Sequence, residues 1–368
     1  MRILGIESSC DETAAAVVTD DREILSNVIY SQTLEHFAYS GVVPEIAARA
    51  HLEKIDLVVE KALNDASMTV SDIDAVAGAC GPGLIGGVIV GATFAKAMSL
   101  SLGIPFIAVN HIEAHALCAR LTNDVKFPYL LLLASGGHCQ ICIAHGIEQF
   151  EVIGKTLDDS VGESFDKVAK MMELGYPGGP AVEKLANSGN PDRFNLPRPL
   201  CSKDSLDFSF SGLKTAVRIT IQRDLGSDQC DVGSDDDKTH VRQALSDEKR
   251  LCESFNQNEQ DKADLCASFQ RTVNDVLSYK MNAAICLCKS KNIDLDAAVI
   301  SGGVAANKSI RNSIQLICQK HDVKFCAPPI NLCTDNAVMV AWNGVEKALV
   351  SKFDDLDFRP RPRWPLKV

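Results

Sequence analysis

The chain has 368 residues, 46% of them hydrophobic and 6% aromatic, and a formal charge of −11. That length allows about two domains, and the composition is that of an Ala-, Val-, Ile- and Leu-rich α/β protein. The charge argues against a general nucleic-acid binder, and the apolar runs at Tyr129–Ala134 and Val88–Ala95 fall far below the roughly 20 residues that cross a bilayer.

The first predicted element is a short apolar strand at Arg2–Ile6. A small polar turn, Glu7–Thr13, leads to strands at Ala14–Thr19 and Glu23–Ser31. Further on come a strand at Ala75–Ala79, a glycine turn at Gly81–Gly83, and an Ala- and Gly-rich helix at Ile85–Leu100. The pattern then recurs. Tyr129–Ala134 reads as a buried strand, Ser135–His138 as its turn, and Cys139–Ala144 and Gln149–Thr156 as the next strands. Ala297–Ile300, the turn Ser301–Gly303 and a helix from about Ala305 repeat the strand–glycine turn–helix unit. Two copies of one α/β unit are therefore expected, over 1–125 and 126–368, with a ligand cleft where their polar turns meet.

The span 224–264 departs from this pattern. It holds twelve acidic and five basic residues, so the rest of the chain carries only −4. It reads as a solvated, partly helical insertion. Basic residues elsewhere form candidate patches at Arg193, Arg198, Lys203, Lys214, Arg218 and Arg223, and at Arg359, Arg361, Arg363 and Lys367. The quickly polar start carries no signal-peptide pattern, so the fourteen cysteines are expected as reduced thiols in a cytoplasm. Cys139 and Cys142 form one CxxC, but their odd separation in a strand puts the thiols on opposite faces.

His111 and His115 lie about one helical turn apart and would share a face, as two ligands of one metal do. Glu113 sits midway between them and points away, unlike the general base of an HExxH peptidase. Asp335, before the apolar run Ala337–Trp342, is a candidate third ligand; its simpler role is a helix cap. Ser135-Gly136-Gly137, Gly178-Gly179 and Ser301-Gly302-Gly303 are candidate anion-binding turns. Gly81–Gly86 fits GxGxxG but lacks the early position and downstream acid of a dinucleotide site. Asp158, Asp159, Glu163 and Asp166 cluster on one helix, where Asp166 could accept ribose hydroxyls.

Taken in order, Gly5–Thr13, Gly41–Glu45, Gly81–Leu84, His111–His115, Ser135–His138, Gly162–Lys167, Tyr176–Pro180, Asp207–Lys214, Ser301–Asn307, Cys333–Asn336 and Arg359–Pro365 resemble the bacterial tRNA N6-adenosine threonylcarbamoyltransferase family, formerly described as O-sialoglycoprotein endopeptidases. The resemblance runs from residue 1 to about 365. It implies a duplicated actin-like fold of the sugar-kinase type. It implies one divalent metal, iron(II) or else zinc, on His111, His115 and Asp335, and adenylate contacts from Leu133, Ala134, Ser135, Gly136, Gly137, Asp166, Gly179, Glu183 and Asn307. Asp11 resembles a residue needed for activity. The implied reaction carries a threonylcarbamoyl group from threonylcarbamoyl-AMP to adenosine 37 of tRNA. The implied partners are a paralogous actin-like subunit, docked on the Ala75–Leu102 half, and a small ATPase; no membrane is involved. A metallopeptidase acting on glycoproteins and a non-catalytic ATP-binding scaffold are the alternatives. Because the acidic span shows little core character, deleting residues 226–260 should leave a soluble folded protein; thermal denaturation checks this, and a large loss of stability would show that the span packs on the body.

Overall fold

The computed structural model describes residues 1–37, 39, 41–201, 205–224 and 259–366. The first half runs β1 (Arg2–Glu7), β2 (Glu12–Thr19), β3 (Ile24–Ser31), α1 (Thr33–Phe37), α2 (Pro44–Asp65), β4 (Ala75–Ala79), α3 (Ile85–Leu102), β5 (Phe106–Val109) and α4 (His111–Asn123). The second runs β6 (Tyr129–Ala134), β7 (Cys139–Gly146), β8 (Gln149–Lys155), α5 (Val161–Met171), α6 (Gly178–Ala186) and α7 (Ser211–Asp224). It continues with α8 (Glu259–Ser290), β9 (Ala298–Ser301), α9 (Lys308–Lys320), β10 (Phe325–Cys326) and α10 (Ala337–Leu349).

The strand orders are β3-β2-β1-β4-β5 and β10-β9-β6-β7-β8. In each sheet the first strand of its half pairs antiparallel with the second and parallel with the fourth. The repeat read from the sequence is thus a repeat of topology. The central strands are apolar throughout because helices cover both faces. Alternation along β1 sends Ile3 into one core and Leu4 into another. In β7, Cys139 and Cys142 likewise enter different cores, as the odd spacing required.

The chain does not stay in its second half. Helix α10 returns to pack on β1, β2 and β4, and Gly5 and Gly344 make that approach possible. A Cβ on Gly5 would lie 2.5 Å from Ala341 N, and one on Gly344 would lie 2.7 Å from Ala77 Cβ. A helix of the second half thus packs on the sheet of the first.

Three further expectations shift. Helix α9 starts at Lys308 rather than Ala305, because the Asn307 side chain accepts from Ile310 N at 3.0 Å and caps it there. Residues 259–264 of the acidic span belong to α8, where buried Asp264 accepts from Arg193 Nη1 at 2.8 Å and from Asn190 N at 2.7 Å. The remainder of that span lies outside the described residues. Helix α3 is an 18-residue apolar stretch, longer than the run read at Val88–Ala95, and is long and apolar enough to cross a membrane by length and composition alone. Its Gly87, Val88, Gly91, Ala92 and Ala95 are buried within the fold.

Lys280 of α8 is fully buried and donates to Leu200 O at 2.8 Å and Ser205 O at 2.6 Å. Lys280→Met keeps most of the volume but strands two carbonyls. It should cost about 2–4 kcal/mol, read as a lower midpoint in denaturant unfolding; an unchanged midpoint would show that water replaces the ammonium there.

Candidate active site

Strands β1, β4 and β5 run parallel, so the residues that follow them emerge at one sheet edge. Asn110, after β5, caps α4: its Oδ1 accepts from Ile112 N at 2.9 Å and Glu113 N at 3.2 Å. That cap places His111 on the first helical position and His115 one turn later. His111 N donates to Gly81 O at 2.8 Å, and Ser301 Oγ donates to His115 O at 2.6 Å. The helix is thereby tied to both halves.

The third member arrives from the far end of the chain. Asp335 Oδ1 lies 2.9 Å from His115 Nε2 and 3.5 Å from His111 Nε2. Asp335 is not the cap of α10. Asn336 takes that role, accepting from Met339 N at 3.1 Å, and leaves the aspartate free to face the histidines. The ligand atoms of the three lie within 4.8 Å of one another. Behind them, the fully buried Glu7 puts Oε2 at 2.8 Å from His111 Nδ1, with Ser9 Oγ at 3.0 Å from the same nitrogen.

Burial alone would lower the His111 pKa, but the Glu7 and Asp335 carboxylates outweigh it and hold it well above the ordinary imidazole value. Burial would raise Asp335, yet His111 and His115 keep it far below the usual carboxylate range. Each carboxylate has its counter-charge here. His111 holds Nδ1–H toward Glu7, and a metal at its Nε2 would replace the proton that faces Asp335, giving the arrangement of carboxylate-oriented metal histidines. Two imidazole nitrogens and one carboxylate oxygen fit a divalent metal with open positions.

A cavity of about 270 Å³ adjoins this group, and Asp335 is in its wall. Glu12, Ser135, Gly136, Asp166, Gly179 and Glu183 also line it. A Cβ at Gly136 or Gly179 would meet no protein atom, so these positions border open space.

The sequence profile described as tRNA N6-adenosine threonylcarbamoyltransferase matches residues 23–342. A protein of that name from Brucella anthropi is 51% identical, the match covering 100% of this chain and 95% of the relative. One from Brucella canis is 50% identical with the same coverage. The chain belongs to the tRNA N6-adenosine threonylcarbamoyltransferase family. Its fold is similar to that of the HypF structure from T. kodakarensis, with a TM-score of 0.56 at 12% identity, covering 95% of this chain and 47% of that one. Full-length HypF gives 0.52 at 13% identity, covering 95% and 46%. The fold is the duplicated, actin-like α/β fold.

The positions expected from the family resemblance divide into three groups. Ser135, Gly136, Asp166, Gly179, Glu183 and Asn307 line the cavity. Leu133 and Ala134 are buried in β6, and Gly137 and Asp11 are outside the lining. Several lining side chains already have partners. Asp166 accepts from Gly178 N at 2.8 Å, and burial raises its pKa. Glu183 accepts from Lys308 N at 2.7 Å, and Asn307 donates to Gln270 Oε1 at 2.8 Å besides capping α9. Of the other acids on α5 and just before it, Asp159 and Glu163 pair with Lys167, and Asp158 accepts from Ser209 and Ser211.

Sequence reasoning missed Glu7 behind His111, the cavity-lining Glu12 and Tyr176, and the environment of His138. Burial, then the nearby His111 and His115, hold the His138 pKa down at about 4. The signal for Glu7 was a charged residue ending an otherwise apolar strand, next to a turn. Three basic positions expected as a patch are instead engaged: Arg193 pairs with Asp261 and Asp264, Arg198 with Asp275, and Lys214 with Asp159. Lys203 lies outside the described residues.

The geometry sets a metal prediction. Replacing both His111 and His115 by Ala should remove bound divalent metal while circular dichroism stays native. Glu7→Gln should weaken metal affinity by about 10–100-fold. Elemental analysis after dialysis checks both, and stoichiometric metal in the double variant would place the ion elsewhere.

Proposed function

We propose that this chain moves the threonylcarbamoyl group of threonylcarbamoyl-AMP to N6 of adenosine 37, in tRNAs reading codons that begin with A. The observation that carries the reading is that Asp335 belongs to both the His–His–Asp group and the cavity wall. A nucleotide in the cavity therefore has its acyl end beside the candidate metal centre. The cavity is near the lower end of small-ligand sites, which start at roughly 300 Å³. It suits one nucleotide moiety, so the tRNA body must stay outside and present a single base.

The reaction is acyl transfer from a mixed anhydride. The N6–carbonyl bond forms, the carbonyl–phosphate bond breaks, AMP leaves, and one N6 proton is lost. Gly136 and Gly179 leave backbone accessible to the phosphate and ribose, with Asp166 facing the sugar. Of the cavity carboxylates, Asp166 and Glu183 accept from backbone N–H groups and Asp335 faces the histidines. That leaves Glu12 to take the N6 proton. Burial, then Asp335 and Asp11, raise its pKa well above the ordinary carboxylate value, which makes it a stronger base once ionised. Asp11, which the family resemblance marks for activity, adds to that shift by its charge and a hydrogen bond to Glu12. The residues that would hold the ion are His111, His115 and Asp335, and iron(II) is the proposed ion, with zinc the alternative. When bound, it supplies a Lewis acid or an anchor for the substrate carboxylate.

A peptidase reading needs Glu113 at the cluster, but Glu113 is buried and accepts from Glu148 N at 2.7 Å instead. A pure ATP scaffold gives the histidine pair no task. The proposed setting is the cytoplasm, with a paralogous actin-like subunit and a small ATPase. Exposed Ile85 and Ile89, one turn apart on α3, support a subunit contact there. The small residues Gly87 and Ala95 face inward, so Ile85→Asp with Ile89→Asp is the informative disruption.

Gly136→Val should leave folding and metal content intact but weaken binding of AMP at least tenfold, about 1.4 kcal/mol, and abolish modified adenosine. Calorimetry with AMP and mass spectrometry of tRNA nucleosides read the two effects. Wild-type protein that forms no threonylcarbamoyladenosine, given the donor, tRNA and the partner proteins, would overturn the assignment.

A further inference from the structure

We infer that the extended strip Arg359–Arg363 is the surface that grips tRNA phosphates at the mouth of the site; the inference rests on the function proposed above. An acidic chain that binds a polyanion needs cations whose charge is not spent internally. Arg22, Arg120, Arg193, Arg198 and Arg271 all have carboxylate partners. Arg359, Arg361 and Arg363 are exposed and have none among the described residues. Arg218 and Arg223 have none among the described residues either, but they lie on α7 rather than against the Cys80–Gly83 turn that bonds His111.

The strip is held rigidly, and next to the site. Arg361 N donates to Cys80 O at 2.7 Å, Gly83 N to Pro362 O at 3.3 Å, and Asn110 Nδ2 to Trp364 O at 2.9 Å. Lys96 Nζ donates to Phe358 O. The same turn presents Gly81 O to His111 N, so one turn connects the strip to the first histidine. Gly81, at φ 125°, is required there because any Cβ would overlap Arg361 O. Pro360 and Pro362 restrict the backbone between the arginines. The Arg361 guanidinium lies 4.7 Å from the Phe358 ring centre and 5.0 Å from that of Trp364. Both rings steady it while its N–H edge stays available to an anion. Little ordering entropy remains to be lost when phosphate binds.

The test uses Arg359→Gln with Arg363→Gln, which spares the stacked Arg361, and Arg359→Lys with Arg363→Lys as the charge-keeping control. tRNA binding is titrated across roughly 50 to 200 mM salt. The Gln variant should show a log–log salt slope shallower by about 1.4–1.8, from two lost phosphate contacts, and a tRNA KM raised about tenfold. AMP binding and metal content should match wild type, and the Lys variant should stay near it. An unchanged slope and KM in the Gln variant overturns the inference. So does loss of a co-purifying protein with the tRNA slope intact, which would make the strip a protein interface. Failure of the wild-type protein to modify tRNA is a separate result and rejects the parent reading.

Discussion

A buried carboxylate is tolerable only beside a positive charge or a full set of donors; Glu7 meets that requirement on His111, and Asp335 on His111 and His115. The rest of the arrangement follows from bringing these four side chains together. Glu7 ends the first strand, the histidines open α4, and Asp335 precedes α10, so the sheet edge and both helices must converge. Arg120 of α4 reinforces this with a two-pronged contact to Glu346 of α10, at 2.7 and 3.2 Å. The helices that carry the two ends of the metal group are thus locked to each other away from it.

The duplication explains why the cavity lies where it does. Each half presents a polar turn after its first strand and a glycine turn after its fourth. From the second half come Ser135, Gly136 and Gly303; from the first comes Glu12. Glycines at these turns serve two different ends. Gly302 has φ 90°, and a Cβ there would lie 2.5 Å from Ala134 O, so it permits a turn shape. Gly136 has no neighbour to avoid and leaves room for a ligand.

Surface charge is allocated with similar economy. The strongly acidic chain neutralises most of its described arginines with carboxylates, including the pair on the 193–198 loop that fastens to α8. Such exposed pairs contribute little stability each. What they do is remove those cations from the set that could meet RNA.

The strand pattern of both halves, the reuse of one unit, the i,i+4 histidines and the glycine turns were all legible in the sequence, because each depends on local periodicity and on residue types with narrow conformational roles. The family motifs also marked Asp335 and Asp166 as site residues. What local pattern could not decide was which of two adjacent residues faces the site. Asn336 caps α10 and frees Asp335; Glu12, not Asp11, lines the cavity. Nor could it reveal that α10 and the final arginine segment return to the first sheet, or that Arg193 and Arg198 are already paired. Those outcomes turn on contacts between residues dozens to hundreds of positions apart, and only the packed tertiary structure brings such residues within reach of one another.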